Sequence, residues 1–186
     1  MRPTAKSLFR IGVFGAASNW SDEASKRADA IGEAIAKCGM ILVTGATSGL
    51  PYQAGQAAIK NEGFVLGISP AHNSKDHVER YQKPLDGCSL IIWTGAGYTV
   101  RNCLNVLNCD GAIFIGGETG TLEEFCIAHY EGKVIGIAEG TGGVTDQIQS
   151  LMKSCPTDHG AVIIYDQDPA RLVAQIVDRL QERLMA

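Results

Sequence analysis

The stretch Ile113-Phe-Ile-Gly-Gly-Glu-Thr-Gly-Thr-Leu-Glu-Glu-Phe125 predicts a strand, a glycine turn and the beginning of a helix. Backbone N–H groups at a helix start lack partners and carry the positive end of the helix dipole, so such a turn can hold an anion, most often a phosphate. Thr121 and Glu124 also match the capping-box pattern Thr-x-x-Glu. The stretch is therefore either a ligand site or a helix cap, and other parts of the chain must distinguish the two.

The same alternation of strand and helix extends along the rest of the chain. Apolar runs rich in Val, Ile and Leu alternate with segments of helical periodicity, which predicts a parallel sheet buried on both faces. We predict an α/β, doubly wound, mainly parallel sheet of about seven strands flanked by helices, forming a single Rossmann-like nucleotide-binding domain over residues 1–186. The segment 70–84 has no clear period and is predicted to be a surface excursion. The predicted strands are 8–14, 40–44, 64–69, 88–93, 112–115, 134–138 and 161–165.

Composition excludes several classes of partner. The formal net charge of −4 provides no electrostatic footprint for a nucleic-acid backbone or an anionic membrane, so we expect neither partner and predict a small-molecule ligand. The six cysteines include no C-x-x-C pair, which is typical of reduced, mostly buried thiols. No targeting signal is visible, so we expect a cytoplasmic protein.

Two familiar nucleotide motifs are missing from the sequence. Gly12 and Gly15 follow the pattern of a dinucleotide fingerprint, but no further glycine follows them and no acidic residue ends the second strand. The chain also lacks a Walker A loop. NAD binding of the usual kind and P-loop ATP hydrolysis are therefore disfavoured, and we predict no cofactor.

Arg101 is a second candidate for chemistry. It follows the fourth predicted strand and the glycines Gly95 and Gly97, near the start of a helix for which Thr99 is the predicted N-cap. A cation there opposes the helix dipole, so the residue is either a solvated arginine or a ligand-facing guanidinium. Arg101 and Glu124 belong to helix starts after consecutive strands, so both can point at the crevice outside the carboxyl ends of the sheet.

The segment Gly116–Glu124, together with Arg101-Asn102 and the turn 45–49, resembles the Lonely Guy (LOG) family, formerly labelled "possible lysine decarboxylase". The resemblance extends over residues 9–150. The chain is also similar to molybdenum-cofactor carrier proteins, which share the Arg-Asn and Gly-Thr-Leu elements within the same Rossmann-like superfamily (SLOG). The LOG resemblance implies hydrolysis of the N-glycosidic bond of nucleoside 5′-monophosphates, which releases a free base and ribose 5-phosphate. It also implies a homodimer or higher oligomer, with the helices after the fourth and fifth strands near the interface.

The resemblance assigns roles to individual residues. Glu124 becomes the catalytic carboxylate and Arg101 its charged partner, while Gly120 and Thr121 bind the phosphate. A carboxylate can stabilise the positive charge that develops on the sugar and can activate water, and a neighbouring Arg is expected to keep it ionised. The residues that we predict to contact the ligand or its phosphate are Gly15, Ser18, Gly45, Ser48, Gly49, Asn102, Gly116, Gly117, Thr119, Gly120 and Thr121.

The sequence departs from the LOG motif at two positions. Gly116 replaces a proline and Glu118 replaces a glycine, which places a carboxylate in the proposed anion turn. The alternative function is therefore a non-catalytic protein that binds or carries a nucleotide or a molybdenum (pterin) cofactor. Ser18 is either a ligand contact or simply part of the helix start. A metal site at His72, Asp76 and His77 lacks a third fixed partner, so we predict no metal.

Overall fold

Seven parallel strands form one sheet in the computed structural model, which describes residues 9–185. The order across the sheet is β4-β3-β2-β1-β5-β6-β7, so the predicted doubly wound α/β fold is confirmed. Leu8, the predicted start of the first strand, and the N-terminal segment without a predicted targeting signal lie outside the described residues. The strands are β1 (Arg10–Gly15), β2 (Ile41–Thr44), β3 (Phe64–Ser69), β4 (Leu90–Trp93), β5 (Gly111–Ile115), β6 (Val134–Ala138) and β7 (Val162–Asp166).

Helices cover both faces of the sheet, and each face has its own apolar core. One core joins α1, α2 and α7 to the sheet through residues such as Ile31, Ala54 and Ile176. The other joins α4, α5 and α6 to the opposite face and contains Val106 and Phe125. The helices are α1 (Asp22–Lys37), α2 (Leu50–Lys60), α3 (Ser74–Glu79), α4 (Gly97–Leu107), α5 (Thr119–Tyr130), α6 (Ile148–Ser154) and α7 (Pro169–Met185), with a 3-10 turn at Gly143–Gln147.

The strand order reverses direction at β1. The chain builds outward from β1 through β2 and β3 to β4, and then returns to the other side of β1 to add β5, β6 and β7. In an open parallel sheet, the loops leaving the two strands at such a switch point diverge and leave a crevice at the carboxyl edge. The chain segments are still close where they leave β1 and β5, since Ala16 N donates to Ile115 O over 3.1 Å. The fold therefore leaves a crevice beside these two turns.

Helix α1 follows from its sequence. Ser21 is the predicted N-cap, and its Oγ accepts from Ala24 N over 3.1 Å. The helical spacing of Ala28, Ile31 and Ile35 predicts an apolar face that begins at Ala28. This prediction is wrong, because Ala24 is also buried in the core. Small residues suit the buried side of α1, because this helix packs closely against α2. A Cβ on Gly32 would overlap Ala54 O.

Helix α4 does not follow the expected pattern. The helical spacing of Val100, Leu104 and Leu107 predicts an inner apolar face, but Val100 and Leu107 are about half exposed. The buried positions are instead Arg101, Asn102 and Asn105, together with Val106. Thr99 is not the N-cap either, because the helix already begins at Gly97 and has no side-chain cap. The helix turns its polar side towards the protein, where Arg101 and Asn102 line a cleft.

The segment 70–84 is more ordered than predicted. It contains the short helix α3, whose N-cap Asn73 accepts from Asp76 N over 3.0 Å. His77 is buried, and its ring contacts the Trp93 ring edge-on at a centroid distance of 5.3 Å. The imidazole also contacts Ser69 Oγ and Pro84 O, and these polar contacts hold the segment against the sheet.

The cysteines differ partly from the expectation of buried thiols. The sequence predicts core-facing positions for Cys103, Cys109 and Cys126. All six cysteines are free; Cys109 is buried and Cys103 is partly buried, but Cys126 is exposed, so the prediction is wrong for Cys126. Burial raises the pKa of the Cys109 thiol far above its usual range. Within residues 9–185, no helix is both long enough and apolar enough to cross a membrane.

Candidate functional site

A cleft of about 290 Å³ lies beside the carboxyl ends of β1 and β2 and the first turns of α4 and α5. This volume lies near the lower end of the range for small-molecule sites. The structure brings most of the predicted site residues together in its wall, and four others lie outside it: Ser48, Gly49, Gly116 and Gly117. The predicted residues that line the cleft are Gly15, Ser18, Gly45, Arg101, Asn102, Thr119, Gly120, Thr121 and Glu124.

Glu124 is a buried carboxyl in the cleft wall. Its Oε1 accepts a hydrogen bond from Asn105 Nδ2 over 2.9 Å. Burial raises the pKa of Glu124 to about 7, although Arg101 and the Asn105 hydrogen bond both act to lower it. A carboxyl with this pKa can exchange a proton at neutral pH, which is the property of a general acid or base. The expectation that Arg101 keeps Glu124 ionised is corrected, since desolvation is the larger effect.

The capping-box interpretation of the same residues is wrong. Helix α5 begins at Thr119, and its N-cap is Glu118, whose side chain makes no capping hydrogen bond. Thr121 and Glu124 both lie inside the helix and are buried. Glu124 therefore has no structural role at the helix start, and of the two alternatives the cap is excluded.

Arg101 is a second buried charged residue in the wall of the cleft. It is 7% exposed, and its Nε has no hydrogen-bond partner. No carboxylate oxygen within residues 9–185 lies within 4.0 Å of its guanidinium nitrogens. Burial lowers the pKa of Arg101, and Glu124 at longer range opposes that shift. An unpaired buried cation is costly, so this arrangement favours an anionic ligand.

Gly45 has no side chain, and this leaves room for the guanidinium of Arg101. A Cβ at Gly45 would overlap the Nη1 atom of Arg101, so the turn after β2 makes room for the guanidinium. The Tyr98 ring is also close to the guanidinium, with its centroid 5.4 Å from Arg101 Cζ. Backbone and ring together fix the direction in which the cation points.

The paired glycines after β5 lie behind the cleft. Gly116 N–H donates to Thr141 Oγ1 over 2.9 Å and is not free to bind a ligand. Gly117 has a φ of +94°, and a Cβ there would overlap Thr121 Oγ1. Its carbonyl accepts from Val144 N over 2.8 Å. These glycines allow the chain to turn sharply from β5 into α5.

Gly49 and Ser48 also lie outside the cleft. Gly49 has a φ of +83°, and it allows α2 to approach the turn after β1, where Leu50 N donates to Ala16 O over 2.8 Å. Ser48 Oγ accepts from Lys83 Nζ over 2.9 Å. Gly49 therefore acts in packing, and Ser48 holds a lysine that does line the cleft.

Glu118 and Ser18 form the exposed rim. Both line the cleft, and Ser18 Oγ donates to Glu118 Oε1 over 3.4 Å. This contact joins the turn after β1 to the start of α5. The carboxylate stands at the helix N-terminus, where the dipole favours a negative charge and where a phosphate would otherwise bind.

Sequence reasoning missed Lys83, Tyr98 and Asn105. Asn105 lies four residues after Arg101, so its place on the same helical face was visible in the spacing. Tyr98 lies in the first turn of α4 and shares the position that drew attention to Arg101. Lys83 gave no signal, because the segment that carries it has no periodicity. Thr47, which follows the second strand beside Ser48 and is expected at the same crevice, does line the cleft. The remaining lining residues, which were not predicted as contacts, are Val13, Phe14, Ala17, Pro51 and Glu118.

The predicted absence of a metal site stays a prediction. The imidazole of His77 is engaged by Ser69 Oγ at 2.8 Å and by Pro84 O at 3.1 Å. Asp76 Oδ2 accepts from the backbone N–H of His72 over 2.9 Å. Within residues 9–185, no group of three or more His, Cys, Asp or Glu side chains could hold a metal ion.

Comparison with known proteins agrees with this fold and with the motif resemblance. A model of the SLOG cluster4 family matches residues 8–173. The chain belongs to this family. Among the relatives of this SLOG protein, an uncharacterised protein of Archaeoglobus fulgidus is 33% identical over 126 residues, which are 68% of this chain and 77% of that protein.

Two solved structures of cofactor proteins are similar to this SLOG chain. The molybdenum cofactor binding protein of Rippkaea orientalis is 25% identical, with a TM-score of 0.72 over 98% of this chain and 100% of that one. The molybdenum cofactor carrier protein of Chlamydomonas reinhardtii is 22% identical, with a TM-score of 0.74 over 94% of this chain and 99% of that one. The predicted membership of the SLOG superfamily is thereby confirmed.

Proposed function

We propose that the cleft binds a nucleotide-like small molecule and hydrolyses the N-glycosidic bond of nucleoside 5′-monophosphates, releasing a free base and ribose 5-phosphate. The observation that carries this proposal is the buried carboxyl of Glu124, whose pKa is raised to about 7. It shares the cleft with the unpaired cation of Arg101. A nucleoside 5′-monophosphate has a glycosidic bond, at which a proton-exchanging carboxyl can act, and a phosphate, which a cation can bind. The cleft contains both kinds of group.

The proposed reaction consumes one water molecule. The bond between C1′ and the base nitrogen breaks, its electron pair leaves with the base, and the departing base takes up a proton. Water forms the new bond to C1′, and the Glu124 carboxylate accepts the proton that the water loses. The same carboxylate stabilises the positive charge that builds on the sugar. The Asn105 hydrogen bond holds the carboxylate in one orientation.

Tyr98 is suited to contact a planar ring of the ligand. It is about half exposed at the cleft, and its ring also meets Tyr81 edge-on at a centroid distance of 5.3 Å. A tyrosine held in this way presents a rigid apolar face, on which a base or a pterin can stack. The two candidate functions share this feature.

The test is incubation of the purified protein with AMP and a panel of other nucleoside 5′-monophosphates, followed by chromatography of the released bases. Glu124→Gln is expected to lower turnover by about 10²- to 10⁴-fold, since it removes the general base and preserves the shape of the side chain. Glu131→Gln, an exposed position at the end of α5, serves as the matched control and should leave turnover unchanged. Equal turnover in the Glu124 and Glu131 variants would refute the assigned role of Glu124.

The second candidate function is a non-catalytic protein that binds or carries a nucleotide or a molybdenum cofactor. The likeness to the Rippkaea orientalis protein supports it, as does the Glu118 carboxylate at the helix start. A carrier should bind its ligand without releasing any base, and Glu124→Gln should leave that affinity largely intact. Absorbance and fluorescence of the freshly purified protein would show a retained pterin. No base release from any monophosphate, combined with a retained pterin, would favour the carrier.

We also propose that two or more copies of the chain associate through the outer side of α4 and the neighbouring edge strand β4. Leu90 and Ile92 of β4 are about half exposed, as are Val100 and Leu107 of α4. Exposed apolar residues that form a patch on a protein surface typically mark an interaction site. A second copy suits this surface, because α4 carries no charged side chain except the buried Arg101.

A further inference from the structure

Lys83 reaches the cleft from the segment between α3 and β4. Its side chain lines the cleft, and its Nζ donates to Ser48 Oγ over 2.9 Å. No carboxylate oxygen within residues 9–185 lies within 4.0 Å of that nitrogen. Burial lowers the pKa of Lys83, and the nearby Arg101 lowers it further. The cleft therefore holds two neighbouring cations without a carboxylate paired to either.

The turn after β2 brings these two cations together. Gly45, at its beginning, leaves the space that the Arg101 guanidinium occupies. Ser48, three residues later, accepts the hydrogen bond from Lys83. One tight turn thus contacts both positive groups from the same side. Two like charges held this close repel each other unless an anion lies between or beside them.

His77 fixes the segment that carries Lys83. The backbone N–H of Lys83 donates to the carbonyl of His77 over 3.2 Å. The imidazole Nε2 of the same histidine lies 3.1 Å from Pro84 O, and since a carbonyl can only accept, this nitrogen is the donor. The buried histidine therefore makes one hydrogen bond to Lys83 and another to Pro84. Hydrogen bonds to His77 therefore hold the backbone at Lys83 in place.

The glycine turn before α5 offers an anion less than the sequence predicts. Gly116 N–H is already used by Thr141. The Glu118 carboxylate stands at the rim of that helix start and would repel a phosphate. Lys83 and Arg101 thus lie in the wall of the cleft, whereas the Glu118 carboxylate lies at its rim.

We propose that Lys83 and Arg101 together form the anion subsite of this cleft, which binds the phosphoryl group of a phosphate monoester ligand. This assignment rests on the proposed nucleotide-like ligand and specifies which end of it lies where. Lys83 supplies a point charge with rotatable donors, while Arg101 supplies a planar set of donors with the unpaired Nε among them. Ser48 and the anchored segment around His77 position Lys83 for this contact.

The test compares binding of three probes by isothermal titration calorimetry: inorganic phosphate, AMP and adenosine. Lys83→Met is expected to weaken phosphate and AMP by about 10- to 100-fold, since a charged hydrogen bond is lost, and to leave adenosine unchanged. Lys83→Arg keeps the charge and should retain most of the AMP affinity. Lys75→Met, an exposed lysine on α3 in the same segment, is the matched control and should bind all three probes like the unmodified protein.

Each other result has a defined meaning. If phosphate and AMP bind equally well to the unmodified protein and to Lys83→Met, the anion subsite is refuted, while base release from AMP would still support the hydrolase. If phosphate binds in a Lys83-dependent manner and no monophosphate is hydrolysed, the subsite stands and the hydrolase does not. If neither phosphate nor AMP binds to the unmodified protein, the subsite is refuted. For a hydrolase, Lys83→Met should raise KM for AMP with little change in kcat, which loss of structure alone would not produce.

Discussion

Helices α1 and α4 are both amphipathic, but they face the protein in opposite ways. In α1 the buried residues are apolar or small, such as Ile31 and Ile35, and the charges lie outside, where Arg27 pairs with Glu23 over 3.2 Å. In α4 the buried residues include Arg101 and Asn105, while apolar side chains such as Val100 lie outside. One helix stabilises the fold, and the other presents chemistry to a cleft.

The difference identifies the part of the molecule where stability and function conflict. Burying Arg101 and Glu124 costs free energy that apolar residues in the same places would not cost. Proteins retain such groups where activity requires them, and strained or poorly compensated positions are therefore concentrated in functional sites. We expect substitutions in α1 to lower stability without altering function. Substitutions in the cleft should alter function and, in some cases, raise stability.

The largest expected effect is on the pH dependence of stability at Glu124. Its pKa is about 7 in the folded protein against 4.5 for the free side chain, so the folded state holds the proton more tightly. The favourable contribution is complete below about pH 4.5 and is lost as the pH rises through 7. Glu124→Gln removes this loss and can still accept the Asn105 hydrogen bond. We therefore expect the variant to gain up to about 3 kcal/mol over the unmodified protein between pH 4.5 and pH 8.

Chemical denaturation at several pH values would measure this difference. The Glu131→Gln control should follow the pH dependence of the unmodified protein. Parallel stability curves for the Glu124 variant and the unmodified protein would contradict the raised pKa. For a hydrolase in which Glu124 acts as the base, kcat should rise with pH through about 7 and then level off, and the gain in stability and the loss of turnover should occur in the same variant.

The contrast between the two helices also explains what the sequence could predict. The strands and α1 were predictable because apolar periodicity reports burial in a core. The same rule predicted the wrong side of α4 to be buried. Val100 and Leu107 repeat with helical spacing, and that spacing is the same whether the residues face a core or the outside. Arg101 and Glu124 were expected to share a crevice because they follow consecutive strands. The structure places both in the wall of one cleft, although three strands separate β4 from β5 in the sheet, because α4 packs against α5.

Contacts made across the fold were not predictable from the sequence. Lys83 enters the cleft only because His77, buried against Trp93, anchors a segment with no period of its own. The raised pKa of Glu124 depends on burial, which a Thr-x-x-Glu pattern does not report, so the pattern suggested a helix cap. A sequence motif gives the order of residues along one element, whereas desolvation depends on neighbours from several elements.

The outward side of α4 gives a second, smaller effect. If copies of the chain associate there, Val100→Lys should weaken the association by at least about tenfold, since a charge replaces an apolar contact. The unfolding free energy of a single copy should change by less than about 0.5 kcal/mol, because the position is already half exposed. Light scattering during size-exclusion chromatography would measure both proteins. Val78→Lys, an equally exposed position on α3, is the control, and a purely monomeric unmodified protein would contradict the proposed interface.

The smallest effect compares the two helix starts. Ser21→Ala should lower the unfolding free energy by about 1 kcal/mol, because the Ser21 hydroxyl satisfies Ala24 N at the start of α1. Glu118→Ala at the start of α5 should cost clearly less, since that side chain makes no capping bond and its contact with Ser18 is long and exposed. Denaturation midpoints measured at one pH would test both variants. Similar losses would mean that α5 depends on its cap as α1 does. A smaller loss at Glu118 is what we expect of a helix start left open towards a ligand cleft.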